Sequence, residues 1–274
     1  MQLDDGPWIH QMNWKAIRDY LSHSDIALVP VGATEQHGDH TPLMVDTGWA
    51  IAVAEGAARE TNVLVTPPMH VGWSPHHLAY PGALTLRPET LTAMLVDVCE
   101  SLIYHGFKKI VLVNGNRISN LPPMEIAAAK VRFSTGAYVS LIDVGLIARQ
   151  EVSRICTVGE NGHGGDSETS FMLHWKPELV DMTRAVKGHS GGSGPFATMP
   201  MPCEPPFDVN VLSVRPTAEE YGRASAPEGI GGDATLATAE KGKLVLEAIV
   251  RNTAIHINDI RGKTVSVRRP AIPI

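Results

Sequence analysis

The chain has 274 residues, 43% of them hydrophobic and 19% charged, a composition that builds a packed core and excludes extended disorder. Twenty-three Lys and Arg against 29 Asp and Glu give a formal charge of −6, without the basic clustering that a nucleic-acid backbone or an anionic membrane demands. No run approaches the roughly 20 apolar residues that span a bilayer, the start MQLDDGPWIHQ lacks the basic and apolar regions of an export leader, and Cys99, Cys156 and Cys203 form neither a CxxC pair nor an even set, so a cytoplasmic protein without disulfides is expected.

The apolar run at 26–31 scarcely alternates and predicts a strand covered on both faces. Just past it stand Glu35 and His37, two apart, which extended backbone turns to one side. Asp46 follows, immediately before a helix predicted over 48–59, where its carboxylate either caps backbone N–H groups or bridges metal ions. A carboxylate, an imidazole and a second carboxylate at this spacing permit a divalent-metal site. Five of the twelve histidines, His37, His40, His70, His76 and His77, crowd into the same stretch.

A strand at 63–66, a helix at 88–104 and a strand at 110–113 come next. The polar stretch Asn114-Gly115-Asn116-Arg117 ends that last strand, either as a turn or as part of a site. A helix at 122–133, a strand at 138–142 and a helix at 171–175 continue the alternation. The last of these is preceded by Gly162-His163-Gly164-Gly165-Asp166-Ser167-Glu168, in which glycines surround a single histidine and Asp166 and Ser167 suit helix caps. The Gly- and Pro-rich segment 188–206 reads as a long loop or lid, and a final helix is expected from Asp233 as N-cap through Leu236, Leu244, Ile249 and Thr253. Strand and helix in alternation predict an α/β layered fold with a central, mainly parallel sheet flanked by helices, as one domain over 1–274. In such sheets ligands gather at the carboxyl ends of the strands, which gives the three polar clusters their weight.

These clusters resemble the creatininase (creatinine amidohydrolase) family. The resemblance is carried by Glu35-Gln36-His37-Gly38 with Pro42-Leu43 and Asp46-Thr47, by Ser74 to His77, by Tyr80-Pro81-Gly82-Ala83-Leu84-Thr85-Leu86, by Asn114-Gly115, by His163-Gly164-Gly165 with Glu168-Thr169-Ser170, and by Gly232-Asp233. It implies an α/β hydrolase of cyclic or linear amides that holds two divalent metals, is usually hexameric, takes a small-molecule substrate and needs no organic cofactor. By position, Glu35 would bind the first metal, His37 the second, and Asp46 would bridge them. His163 would shuttle a proton, and Glu168 would serve as a second-metal ligand or water-orienting base. Ser74, His77 and Arg117 are expected on the substrate side.

The chain departs from the family pattern where a metal-binding His normally follows Asn-Gly, because Asn116 stands there, and Ile118 occupies the place of an acidic ligand. The expected ions are Zn and/or Mn, with Mg or Fe admissible; an Asn carbonyl is a harder and weaker ligand than imidazole, which shifts the site toward Mn or Mg or toward a single loosely held ion. Two tryptophans that cover creatinine in the family are replaced by Ile142 and Gly159, which argues against creatinine as substrate. Arg117 is left to pair with a carboxylate, phosphate or polarised carbonyl, or to form a salt bridge at a surface. The expected reaction is metal-assisted hydrolysis of an amide. A carbon–carbon ring-opening hydrolase acting on a cyclic polyol diketone and a catalytically silent binding scaffold are the alternatives.

Overall fold

The computed structural model describes residues 6–116, 119–157, 162–188, 216–225 and 228–271. Arg117, Ile118, Gly159 and the expected lid segment after Gly188 lie outside them. Four parallel strands, β1 (Ile26–Val31), β2 (Leu64–Val65), β3 (Lys109–Asn114) and β4 (Tyr138–Asp143), form one sheet in the order β2-β1-β3-β4. Eight helices accompany them among the described residues: α1 (Trp14–Leu21), α2 (Val45–Thr61), α3 (Pro88–His105), α4 (Leu121–Thr135), α5 (Arg149–Ile155), α6 (Asp166–Trp175), α7 (Ala218–Ser225) and α8 (Ala239–Arg261).

Every residue of β1 and β3 is buried because successive side chains feed two different cores. Ile26, Leu28, Val111 and Val113 pack with α2 and α8 on one face. Ala27, Val29, Val31, Ile110 and Leu112 pack with α3 and α4 on the other. The lack of alternation in the sequence is thus the signature of a sheet covered twice. The chain runs outward from β1 to β2 and then returns past β1 to β3, so β1 and β3 are neighbours from which the connections diverge. That divergence opens a crevice at their carboxyl ends, where Glu35, His37 and Asn116 follow the strands.

Close backbone contacts hold the layers around this crevice. A Cβ at Gly115 would lie 1.9 Å from the Asp46 carbonyl oxygen, so glycine lets the first turn of α2 sit directly on the end of β3. The helix α8 presses equally hard on α6, where a Cβ at Gly242 would lie 1.9 Å from the Ser170 carbonyl oxygen. Helix propensity alone predicts that Gly242→Ala stabilises the protein by about 1 kcal/mol. The backbone clash dominates, and the expected result is a loss of about 3 kcal/mol in chemical denaturation, since neither helix can retreat from its own core.

The sequence expectation for the final helix requires correction. Asp233 caps only a single 3-10 turn, Ala234–Leu236, by accepting from Thr235 N, and the long helix begins at Ala239 with Thr238 Oγ1 accepting from Lys241 N at 3.2 Å. Leu244 faces solvent on α8, and the buried stripe is Val245, Ala248, Ile249, Thr253 and Ile257. Asp166 proves to be the first residue of α6, wholly buried and paired with Lys241 Nζ at 2.8 Å. The helix it opens begins five residues earlier than the expected 171–175.

Candidate metal centre

The site is built on three backbone devices. After β1 the chain is held by Glu35 N donating to the Leu43 carbonyl at 3.0 Å and by Leu84 N donating to the Thr34 carbonyl at 2.9 Å, which fixes the Glu35–His37 segment in extended form. The start of α2 is tied to the same segment by Thr47 Oγ1, which donates to the Ala33 carbonyl at 2.9 Å. Asp46 therefore sits in the first turn of α2, one step further into the helix than the sequence suggested, with its carboxylate over the β1–β3 crevice. The third device is the α6 N-terminus, whose first turn carries Glu168. Gly164 N donates to Glu168 Oε2 at 2.7 Å and aims that carboxylate back at the strand ends.

His37 is the hub, 1% exposed. Its Nδ1 donates to the Glu35 backbone carbonyl at 3.2 Å, which orients the ring and leaves Nε2 as the atom a cation would take in exchange for a proton. That Nε2 lies 3.2 Å from Asp46 Oδ1 and 3.6 Å from Glu168 Oε2, and it makes no hydrogen bond of normal geometry. His37, Asp46 and Glu168 thus offer three ligand atoms within 4.8 Å of one another, and Glu35, His37 and His163 form a second such group. An imidazole nitrogen and two carboxylates converging in a buried place suit a divalent cation of the Zn or Mn type, and the orphaned Nε2 is the atom such an ion satisfies.

The electrostatics agree. Glu35 and Asp46 are each 3% exposed, and among the described residues neither is paired with a lysine or arginine. Burial, followed by the Asp46 charge, pushes the Glu35 carboxyl well above its usual range. Burial would depress the His37 imidazole, but Asp46, Glu168 and Glu35 together outweigh it and push its pKa up to about 10. A field that draws a proton this strongly onto one imidazole is one that draws a divalent cation.

Several residues take positions that their sequence context does not disclose. His77 and Ser74, expected to face the substrate, are buried against Glu35. His77 Nε2 lies 3.0 Å from Glu35 Oε1, and the Ser74 hydroxyl, though near enough to favour ionised Glu35, forms no hydrogen bond of normal geometry. Asn116 is turned opposite to the expected carbonyl ligand: its Nδ2 donates to Glu35 Oε2 at 2.9 Å and to Asp46 Oδ2 at 3.0 Å. His163 stands over the hub, its ring 4.1 Å from that of His37 and 4.5 Å from that of His77. Its Nε2 donates to the Gln36 carbonyl at 2.5 Å, and burial followed by neighbouring His37 holds its pKa well below the ordinary value, so the imidazole is neutral with Nδ1 as acceptor.

Tyr221, which sequence reasoning missed, closes the wall. It is 2% exposed on α7, with its ring 4.6 Å from His77 and 5.0 Å from His76. The signal for α7 was present as Thr217-Ala218-Glu219-Glu220: Glu220 N donates to Thr217 Oγ1 at 3.2 Å while Thr217 N donates to Glu220 Oε2 at 2.8 Å, a reciprocal capping box. Gln36 adds a second tie, donating through Nε2 to the Gly229 carbonyl at 2.7 Å. His40 is buried beside the site and bonded through Nε2 to Thr169 Oγ1 at 2.8 Å, a structural role.

Comparison with known proteins finds relatives along nearly the whole chain. Residues 10–257 match the family model described as "Creatininase: Creatinine amidohydrolase". The chain is 29% identical over 277 residues to a 3-dehydro-scyllo-inosose hydrolase of Thermotoga maritima, covering 95% of this chain and 85% of the relative. It is 29% identical over 269 residues to a creatinine amidohydrolase of Pseudomonas putida, covering 92% of this chain and 96% of the relative. A solved manganese form of creatininase superposes with a TM-score of 0.74 at 26% identity, covering 94% of this chain and all of the other.

Proposed function

The chain belongs to the creatininase family, and from that premise we propose that it hydrolyses a cyclic or linear amide other than creatinine, using a divalent ion held by His37, Asp46 and Glu168. It is a metal-dependent enzyme of the amidohydrolase type, as its relatives are named hydrolases, which sets the silent-scaffold alternative aside. The observation that carries the proposal is His37 Nε2, buried without a hydrogen-bond partner between two carboxylates.

A divalent ion bound there acidifies a water and polarises a carbonyl oxygen, and zinc and manganese are the ions that this donor set fits, with magnesium or iron admissible. The chain's own residues do the rest. His163, neutral and anchored through Nε2 to the Gln36 carbonyl, presents Nδ1 to take a proton and return it to the departing nitrogen. Glu168, whose side chain is 25% exposed, stands at the open side, where its second oxygen can orient the attacking water. Asp46 offers a carboxylate oxygen to the ion, and Glu35, held by Asn116 and His77, stands beside it. Ile142, in the position of a substrate-covering tryptophan, is a buried core residue, so that position offers no aromatic ring to stack on creatinine. Arg117 would then meet a polar substituent of the substrate. A small-molecule substrate, a homohexameric assembly and a cytoplasmic location complete the reading. No helix among the described residues is long and apolar enough to cross a membrane.

A second reading has its own support, because the relative named 3-dehydro-scyllo-inosose hydrolase aligns with 95% of this chain. Water added to a ring ketone of a cyclic polyol diketone gives a tetrahedral adduct whose collapse breaks a carbon–carbon bond. The enolate released takes its proton from His163. The two readings separate by product. Incubation of the Mn- or Zn-loaded protein with lactams, N-formyl amides and cyclic polyol diketones is expected to release an amine in the first case and a keto acid in the second. Turnover should stop with a chelator and resume when the ion is restored. Undiminished turnover in metal-stripped protein would contradict both.

A further inference from the structure

We propose that this chain holds one divalent ion and not a pair, because the side-chain NH2 of Asn116 stands where a second cation would bridge Glu35 and Asp46. The inference rests on the reading that His37, Asp46 and Glu168 bind an ion.

Asn116 is 4% exposed, and its backbone is locked by Asn114, whose Oδ1 accepts from Asn116 N at 3.1 Å and whose Nδ2 donates to the Asn116 carbonyl at 2.7 Å. A primary amide has two N–H donors and one carbonyl acceptor, and all three are used here. One N–H goes to Glu35 Oε2 at 2.9 Å, the other to Asp46 Oδ2 at 3.0 Å, and Oδ1 accepts from Ser119 N at 3.1 Å. Rotating the amide so that its oxygen served as a ligand would set that oxygen against two carboxylate oxygens and the NH2 against the Ser119 N–H. Three favourable contacts would become three repulsive ones in a buried place, where each is felt strongly.

Glu35 is held on both oxygens, since Oε1 meets His77 Nε2 at 3.0 Å while Oε2 takes the Asn116 donor. A cation between Glu35 and Asp46 would have to displace both Asn116 bonds at once. Asp46 is divided in consequence. Its Oδ2 belongs to the amide, and its Oδ1 points to His37 Nε2, which together with Glu168 makes one complete ligand set. Asn116 thereby performs with two hydrogen bonds the bridging that a second ion would perform, and Glu35 becomes a clamped carboxyl beside the ion and not one of its ligands.

The test is the number of ions on the full-length protein, stripped, loaded with Mn(II), desalted and read by elemental mass spectrometry and electron paramagnetic resonance. The expected result is close to one Mn per chain with the six-line signal of an isolated ion. Two ions per wild-type chain with a spin-coupled signal would overturn the one-ion centre and leave the hydrolase reading standing. No ion at all would overturn both. Asn116→His is expected to admit a second, spin-coupled ion, and Asn116→Ala to admit one at lower affinity. A folded Asn116→His that still binds a single ion would overturn the role given to the amide, and if that variant fails to fold, the wild-type count and signal decide alone.

Discussion

Asp46→Asn is expected to lower divalent-ion affinity by ~10³-fold while the metal-free protein stays folded. The magnitude follows from ranking: changing a residue that merely supports a ligand costs roughly 10–100-fold, and Asp46 is a ligand candidate at the centre of the group, 3.2 Å from His37 Nε2. Retention of the fold follows from what Asp46 touches. In the ion-free protein its charge opposes buried Glu35 and supports the His37 imidazole, so an isosteric neutral side chain relieves the first while Glu168 and Glu35 still face His37. The replacement's carbonyl still accepts from Asn116 Nδ2, the bond that closes the crevice. Calorimetric titration with Mn(II) and thermal melts of both proteins with a chelator present separate these effects. Equal affinity in the two proteins would remove Asp46 from the ligand set.

His163→Ala is expected to cut turnover by roughly 10²–10⁴-fold, the span of general acid–base contributions, with the ion count unchanged. The split between activity and ion content is what makes the result informative. His163 belongs to a second possible ligand group with Glu35 and His37, so a role as ligand has to be told apart from a role in proton transfer. The bond from Nε2 to the Gln36 carbonyl orients the ring and leaves Nδ1 for either role, as the matching bond of His37 does for its Nε2, so the ion count is what separates the two. Loss of the ion along with turnover would make His163 a ligand. Unchanged turnover on the amide or diketone substrate would place the proton carrier elsewhere, with Glu168 next in line.

Much of this centre is legible in the sequence because a short stretch carries it. Glu35 and His37 follow one strand and Asp46 lies in the first turn of the next helix, and β1 and β3 declare themselves as apolar runs that two cores bury. The order of the sheet then places the strand ends side by side. What could not be read depends on groups far apart in the chain. The direction of the Asn116 amide is set by carboxylates 81 and 70 residues away, so its residue type alone suggested a carbonyl ligand when the structure shows a donor. The family resemblance puts His77 and Ser74 on the substrate side, and their burial beside Glu35, with the Tyr221 ring against His77, is set by tertiary packing that the sequence does not display. The break between Asp233 and α8 went unseen because both Asp233 and Thr238 are good caps, and only the packing of Gly242 on Ser170 selects the second as the start of the long helix.

A cation held among the His37 imidazole and the Asp46 and Glu168 carboxylates, at the crevice between β1 and β3, is what makes this chain a hydrolase. Crystals grown with Zn(II) or Mn(II) and measured at the absorption edge of the metal test this most directly. The predicted result is an anomalous peak within about 2.3 Å of His37 Nε2, with carboxylate oxygens of Asp46 and Glu168 closing the shell. A map without a peak there, at millimolar metal and with His37 in the same pose, would contradict it.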